Sequence, residues 1–252
     1  MIHGMDGKKL SKRHGATAVG DYQHHGLLPS AMLNFLALLG WSPGGDREIM
    51  TVPEMIELFT PDGLQKKAAI FDPQKLDWMN GQHLSMTPLA ELEPIITPGI
   101  IAAGLTDEAT IAARHDWYLR LLDLLRVRAR TIDDIVRQAG PYFLDHIEYD
   151  PEAVAKQWKT PREAAELLEQ VAKTLSEVSD WEPEALESAL RSLAEARGVA
   201  AGKLFQPLRV ALTGLTVSPG IFEVLVIMGR EMALKRISDA VAWLEAGGSE
   251  PE

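Results

Sequence analysis

Lys8, Lys9, Lys12 and Arg13 fall between Gly7 and Gly15, with His14 beside them and no acid in the interval. Ammonium groups on a short loop bracketed by glycines can meet phosphate oxygens, and Ser11 adds a hydroxyl or a backbone N–H to the same surface. A solvated basic loop is the alternative on charge alone, because isolated basic clusters are common. A second cationic stretch, Arg120, Arg126, Arg128 and Arg130, faces a single acid, Asp123. Its arginines suit bidentate or stacking contacts with phosphates and bases, or simply complement a helix C-terminus. A third group, Lys203, Gln206 and Arg209, sits in "GKLFQPLRVALTG" with Leu204, Leu208, Ala211 and Leu215 on an apolar face. That face reads as core. The polar three are candidates for RNA contact, Gln206 suiting an adenine or uracil edge.

These local patches stand on an acidic body. The 252 residues carry 25 Lys and Arg against 36 Asp and Glu, a formal net charge of −11. An even spread of that charge would repel a polyanion, so binding to one must be local and selective. There is no Cys, which removes disulfides and thiolate metal sites. His24 and His25 lack the spaced partners of a zinc site, so no protein metal site is expected. No apolar run approaches the ~18–20 residues of a membrane span, and "MIHGMDGKK" lacks the continuous apolar segment of a secretion signal. A cytoplasmic, membrane-free setting is the expectation.

The elements that must position these groups read as helices. Thr160, Pro161 and Glu163 form a predicted capping box and first turn, followed by Ala164, Leu167, Leu168, Val171, Leu175 and Val178 at helical spacing. Thr51 before Pro53 and Glu54, Asp72-Pro73, Asp150-Pro151 and Ser218-Pro219 offer similar starts. Ala233, Ile237, Val241 and Leu244 line a last helix that Gly247-Gly248 ends. Pro207 predicts a helix start or a kink nearby. No alternating strand pattern is convincing over five or more residues. The six tryptophans are scattered, which favours packing over base stacking. About ten helices with short connectors predict an all-α protein.

The order of residues Lys9-Leu10-Ser11-Lys12-Arg13 resembles the signature lysine loop of class I aminoacyl-tRNA synthetases, in the form usual for the glutamyl branch. "LLPSAMLNFLALLGWSP" (27–43), "FDPQKLDWMNGQHL" (71–84), "GKLFQPLRVALTG" (202–214) and "SPGIFEVLVIMGRE" (218–231) resemble further landmarks of bacterial-type glutamyl-tRNA synthetases, in the same order. The resemblance implies three parts: residues 1–26 ending a catalytic domain, a small helical connecting unit at 27–85, and a helical anticodon-binding region at 86–252 that divides near 150. It implies ATP-dependent activation of glutamate and transfer to tRNA(Glu). Lys9, Ser11, Lys12 and Arg13 would contact ATP, with Lys12 and Lys9 stabilising charge as pyrophosphate leaves. Arg126, Arg128, Arg130, Lys203, Gln206 and Arg209 would contact tRNA. Mg2+ is expected with ATP, and a monomer is the family default. The family's nucleotide-binding sheet and its His-x-Gly-His type motif are absent from the sequence, so Met1 resembles an internal methionine and this chain alone is expected to be inactive. The alternative is a free-standing, non-catalytic tRNA-binding protein.

Overall fold

The computed structural model describes residues 1–11 and 18–248. Lys12, Arg13 and His14 lie outside the described residues. The architecture is all-α, with thirteen α-helices among the described residues. One pair of very short strands departs from the sequence expectation: β1 (Ile2–His3) runs parallel to β2 (Ala69–Ile70). At two residues each, they carry no side-chain periodicity for a sequence pattern to register.

The helices are α1 (Pro29–Leu38), α2 (Val52–Leu58), α3 (Pro73–Met86), α4 (Leu89–Ala102), α5 (Glu108–Ala113), α6 (His115–Arg126) and α7 (Ile132–Ala139). They continue as α8 (Pro151–Gln157), α9 (Pro161–Ser176), α10 (Pro183–Ala196), α11 (Gly202–Thr213), α12 (Ile221–Met228) and α13 (Arg230–Glu245). Two compact units result: 1–103 with 126–137, and 104–125 with 138–252.

In the first unit α1 packs on α2 and α3. The starts of α2 and α3 are fixed locally. Thr51 and Glu54 exchange the reciprocal bonds of a capping box, and Asp72 accepts from the amides of Gln74 and Lys75 at 2.9 and 3.3 Å. Leu27, Met32, Phe35, Leu76 and Met79 form one buried cluster, and Trp41, Met50 and Met55 form another. α4 continues through Pro94 and Pro98, although an interior proline costs about 3 kcal/mol. Its buried Leu92, Ile96 and Ile100 recur every fourth residue, so packing along one stripe offsets the lost backbone bonds.

The second unit is built on α9 and α13, its most extensively packed pair. Ala164, Ala165, Leu168, Val171 and Leu175 supply the buried face of α9. The predicted capping box does not form there. Thr160 adopts φ −114° and ψ 96° and makes no side-chain bond to the first turn, so Pro161 alone sets the start. Ser218 is not a cap either; Gly220 holds that position for α12, while the Ser218 hydroxyl donates to the Pro219 carbonyl at 3.0 Å. α11 begins five residues before Pro207 and runs through it to Gly214. The Pro207 carbonyl accepts from the Trp158 indole at 3.3 Å. Trp158, Tyr149 and Trp243 pack as a three-ring cluster with centroids 5.0–5.8 Å apart. Burial pushes the Tyr149 hydroxyl up to about 12, which suits a ring used for packing.

Candidate functional site

The described part of the basic loop is tied to the small sheet. Leu10 donates to the Ile2 carbonyl at 3.0 Å, Gly4 donates to the Lys8 carbonyl at 2.8 Å, and His3 and Lys9 form an antiparallel bridge. β1 is held in turn by Phe71, whose amide donates to the His3 carbonyl at 2.8 Å. The backbone of residues 2–10 is thereby fixed as a short double-backed loop, with Lys8, Lys9 and Ser11 exposed. Lys8 is drawn toward Asp6, 3.9 Å away. That surface pair is worth little, so both lysines remain open to an anion.

The 126–131 turn of the first unit is pinned to α3. Asn80, fully buried, accepts from the Leu28 amide at 2.8 Å and donates to the Gly26 and Arg130 carbonyls at 3.3 and 2.5 Å. Gly26 has φ +69°, and a Cβ there would stand 2.8 Å from the Ile132 nitrogen; only glycine allows the backbones to close to the 3.0 Å bond from Ile132 N–H to the Gly26 carbonyl. Gly81 makes room for Arg130 in the same way: a Cβ would lie 2.9 Å from its Nη1. Asp134 accepts from the amides of Arg130 and Thr131 at 3.0 and 3.2 Å. These amide bonds and Arg137 outweigh burial and hold the Asp134 carboxyl below its ordinary range. Among the sequence candidates here, Arg126 donates to the Thr87 carbonyl, which ties it to the scaffold. Arg128 and Arg130 lie beyond the end of α6 and are exposed.

In the second unit the three candidates of α11 differ in use. Lys203 is exposed and Gln206 is half-buried. Arg209 turns to the 218–219 loop, donating to the Ser218 and Pro219 carbonyls at 3.0 and 2.7 Å and to the Ser218 hydroxyl. It therefore orders that loop. Sequence reasoning missed the groups that the fold gathers around Phe205. The Phe205 and Phe222 rings meet edge to face at 5.3 Å, and the Arg191 guanidinium lies 5.9 Å from the Phe205 centroid. Both rings are only half-buried. Half-exposed aromatics beside an arginine offer an unstacked base a π-face and a cation.

Among the described residues no three or more His, Asp or Glu side chains gather as a metal site would require. No helix among them is long and apolar enough to cross a membrane.

A family profile described as "Anticodon binding domain" matches residues 89–241, and one described as "tRNA synthetases class I (E and Q), catalytic domain" matches residues 1–78. The glutamate–tRNA ligase of Moorella thermoacetica is 37% identical over 244 residues, which is 97% of this chain and 50% of the relative. Glutamate–tRNA ligase 2 of Rhizorhabdus wittichii is 41% identical over 241 residues, 95% of this chain and 50% of the relative. The crystal structure of a glutamate tRNA ligase from Elizabethkingia meningosepticum, in complex with its amino acid, superposes with a TM-score of 0.74 at 28% identity, covering 97% of this chain and 50% of that one. The chain thus spans about half the length of the curated relatives it matches.

Proposed function

Because this chain belongs to the anticodon binding domain family, in its glutamyl-tRNA synthetase branch, we propose that it provides the tRNA grip and the ATP-closing lysine loop of a glutamate–tRNA ligase. The observation that carries this reading is the cluster of Arg191, Phe205 and Phe222 within the stretch matched by the anticodon-binding profile. On it an anticodon base would stack and be read. Arg209 acts as a positioning residue by holding the 218–219 loop. Arg128, Arg130 and Lys203 supply phosphate contacts, while Arg126 supports the 126–131 turn that presents two of them.

The lysine loop has a separate task. Lys9 and Ser11 stand exposed on a backbone fixed by β1, and together with Lys12 and Arg13 they would meet the ATP phosphates. Lys12 is assigned the charge that develops as pyrophosphate leaves; loss of one such preorganised donor typically costs ~10²–10³ in rate. The described residues present no carboxylate cluster for Mg2+, which would enter with the ATP phosphates. The division of labour follows the proposed parts 1–26, 27–85 and 86–252, although the compact units divide instead at 103, with 126–137 returning to the first. A monomer in the cytoplasm completes the reading.

The test combines this chain with the separately expressed N-terminal half of the Moorella thermoacetica ligase and follows glutamate-dependent pyrophosphate exchange. Exchange that appears only in the mixture, and drops ~10²-fold or more with Lys12→Ala while tRNA binding persists, supports the proposal. Binding of tRNA(Glu) without exchange would favour a free-standing tRNA-binding protein, and exchange untouched by Lys12→Ala would remove that lysine from the mechanism.

A further inference from the structure

A cleft of about 360 Å³ opens in the second unit where α8, α9, α10 and α11 converge. Lys156 near the end of α8, Lys159 in the connector to α9, Arg197 closing α10 and Lys203 in the first turn of α11 line it, with Glu163 the one acid among the described lining residues. On a chain with a net charge of −11, four cations around one small cavity is a local inversion of the protein's field. Among the described residues the three lysines form no salt bridge, and all three are exposed. Arg197 is held in place by a bond to Gln170. The first turn of α9, whose sixteen residues start at Pro161, has no side-chain cap and adds its partial positive charge to the same wall. The remaining lining is different: Leu167 and Val199 are apolar and half-buried, and Pro207 is buried.

We propose that this cleft is a nucleotide subsite, which takes the phosphate of a nucleoside monophosphate unit on Lys156, Lys159 and Lys203 and rests its base on the half-buried Leu167 and Val199. The volume falls within the 300–1,000 Å³ of small-molecule sites, large enough for one nucleotide. Glu163 supplies an acceptor for a ribose hydroxyl, which a bare phosphate would not use. The site is separate from the Arg191–Phe205–Phe222 cluster in its residues, and it rests on the RNA-binding reading only for the source of the nucleotide.

Lysine acetylation of the full chain, read by mass spectrometry, tests this without requiring a variant to fold. Reactivity is compared with no addition, with tRNA(Glu), with AMP and with inorganic phosphate, Lys173 outside the cleft serving as reference. Severalfold protection of Lys156, Lys159 and Lys203 by both tRNA(Glu) and AMP, with Lys173 unchanged, is expected. In parallel, replacing the three lysines by alanine should flatten the salt dependence of tRNA binding by ~0.7 in log–log slope, the share of the one single-strand phosphate they hold. If tRNA(Glu) binds and no probe protects the lysines, the subsite is refuted and Lys203 leaves the set of phosphate contacts, while tRNA binding through the other groups of the proposed function stands. If tRNA(Glu) does not bind and AMP protects, the subsite stands and the proposed function falls. Phosphate alone protecting as strongly as AMP at equal concentration would overturn the nucleotide assignment.

Discussion

Replacing Asn80 by alanine tests how the 126–131 turn is held. The side chain is fully buried and serves three backbone groups: the Leu28 amide, the Gly26 carbonyl and the Arg130 carbonyl. Their losses are unequal. Gly26 keeps the Ile132 amide as a donor, so its carbonyl suffers little. Leu28 N–H is left buried without an acceptor, which costs about 1–3 kcal/mol, and the bond to Arg130 forfeits about 0.5–1.5 kcal/mol. The sum is about 2–4 kcal/mol, or roughly 30- to 700-fold in the opening equilibrium at 1.4 kcal/mol per decade. Native-state hydrogen exchange at the Leu28 amide reads that opening directly. A rise of less than about threefold, well below the smallest loss assigned to a lone orphaned amide, would refute the reasoning and mean that the turn is fixed by Asp134 and packing alone.

Arg236 is 1% exposed and donates to the carbonyls of Asp145 and Pro141 at 3.0 and 3.2 Å and to that of Leu144. Arg236→Met should destabilise the second unit by about 2–4 kcal/mol, measured by urea unfolding, whereas Lys235→Ala on the exposed side should cost less than about 0.5 kcal/mol; equal effects would contradict the assignment. His83 gives a pH prediction. Its Nε2 lies 3.0 Å from Asn34 Oδ1, which also accepts from the Met50 amide at 2.9 Å, and burial pushes its pKa below the ordinary 6.5. The folded state resists the proton that the unfolded chain takes up, so the contribution is complete above pH 6.5 and is lost as pH falls from there toward the depressed value. The first unit should weaken over that interval and do so less in His83→Gln; identical pH slopes in the two proteins would exclude His83 as the cause.

What the sequence made legible was local chemistry. Asp72-Pro73, Asp150-Pro151 and Thr51 with Glu54 cap as expected, because the groups that bond lie within three residues of each other. Thr160 and Ser218 carry the same formula and do not cap: Thr160 makes no side-chain bond to the first turn at φ −114° and ψ 96°, and the Ser218 hydroxyl receives Arg209 from α11. The same division applies to the site. Lys9 to Arg13 declared itself by residue order alone. Arg126 and Arg209 look like free cations in the sequence, yet each is spent on a carbonyl that only the fold brings near. Arg191, Phe205 and Phe222 meet from α10, α11 and α12, a grouping that no spacing within one helix encodes. Arg236 escaped notice for a similar reason: the carbonyls that make its burial tolerable belong to residues 141–145.

The central claim is that an acidic chain binds one tRNA through local cationic and aromatic contacts. The most direct measurement is the affinity of the full 252-residue chain for tRNA(Glu), and for the same tRNA with its anticodon replaced, across a salt series. The account predicts that affinity falls linearly with log salt concentration as phosphate contacts release counterions, with tRNA(Glu) bound more tightly than the anticodon variant at every salt concentration. Binding that ignores salt, or equal affinity for the two RNAs, would contradict it.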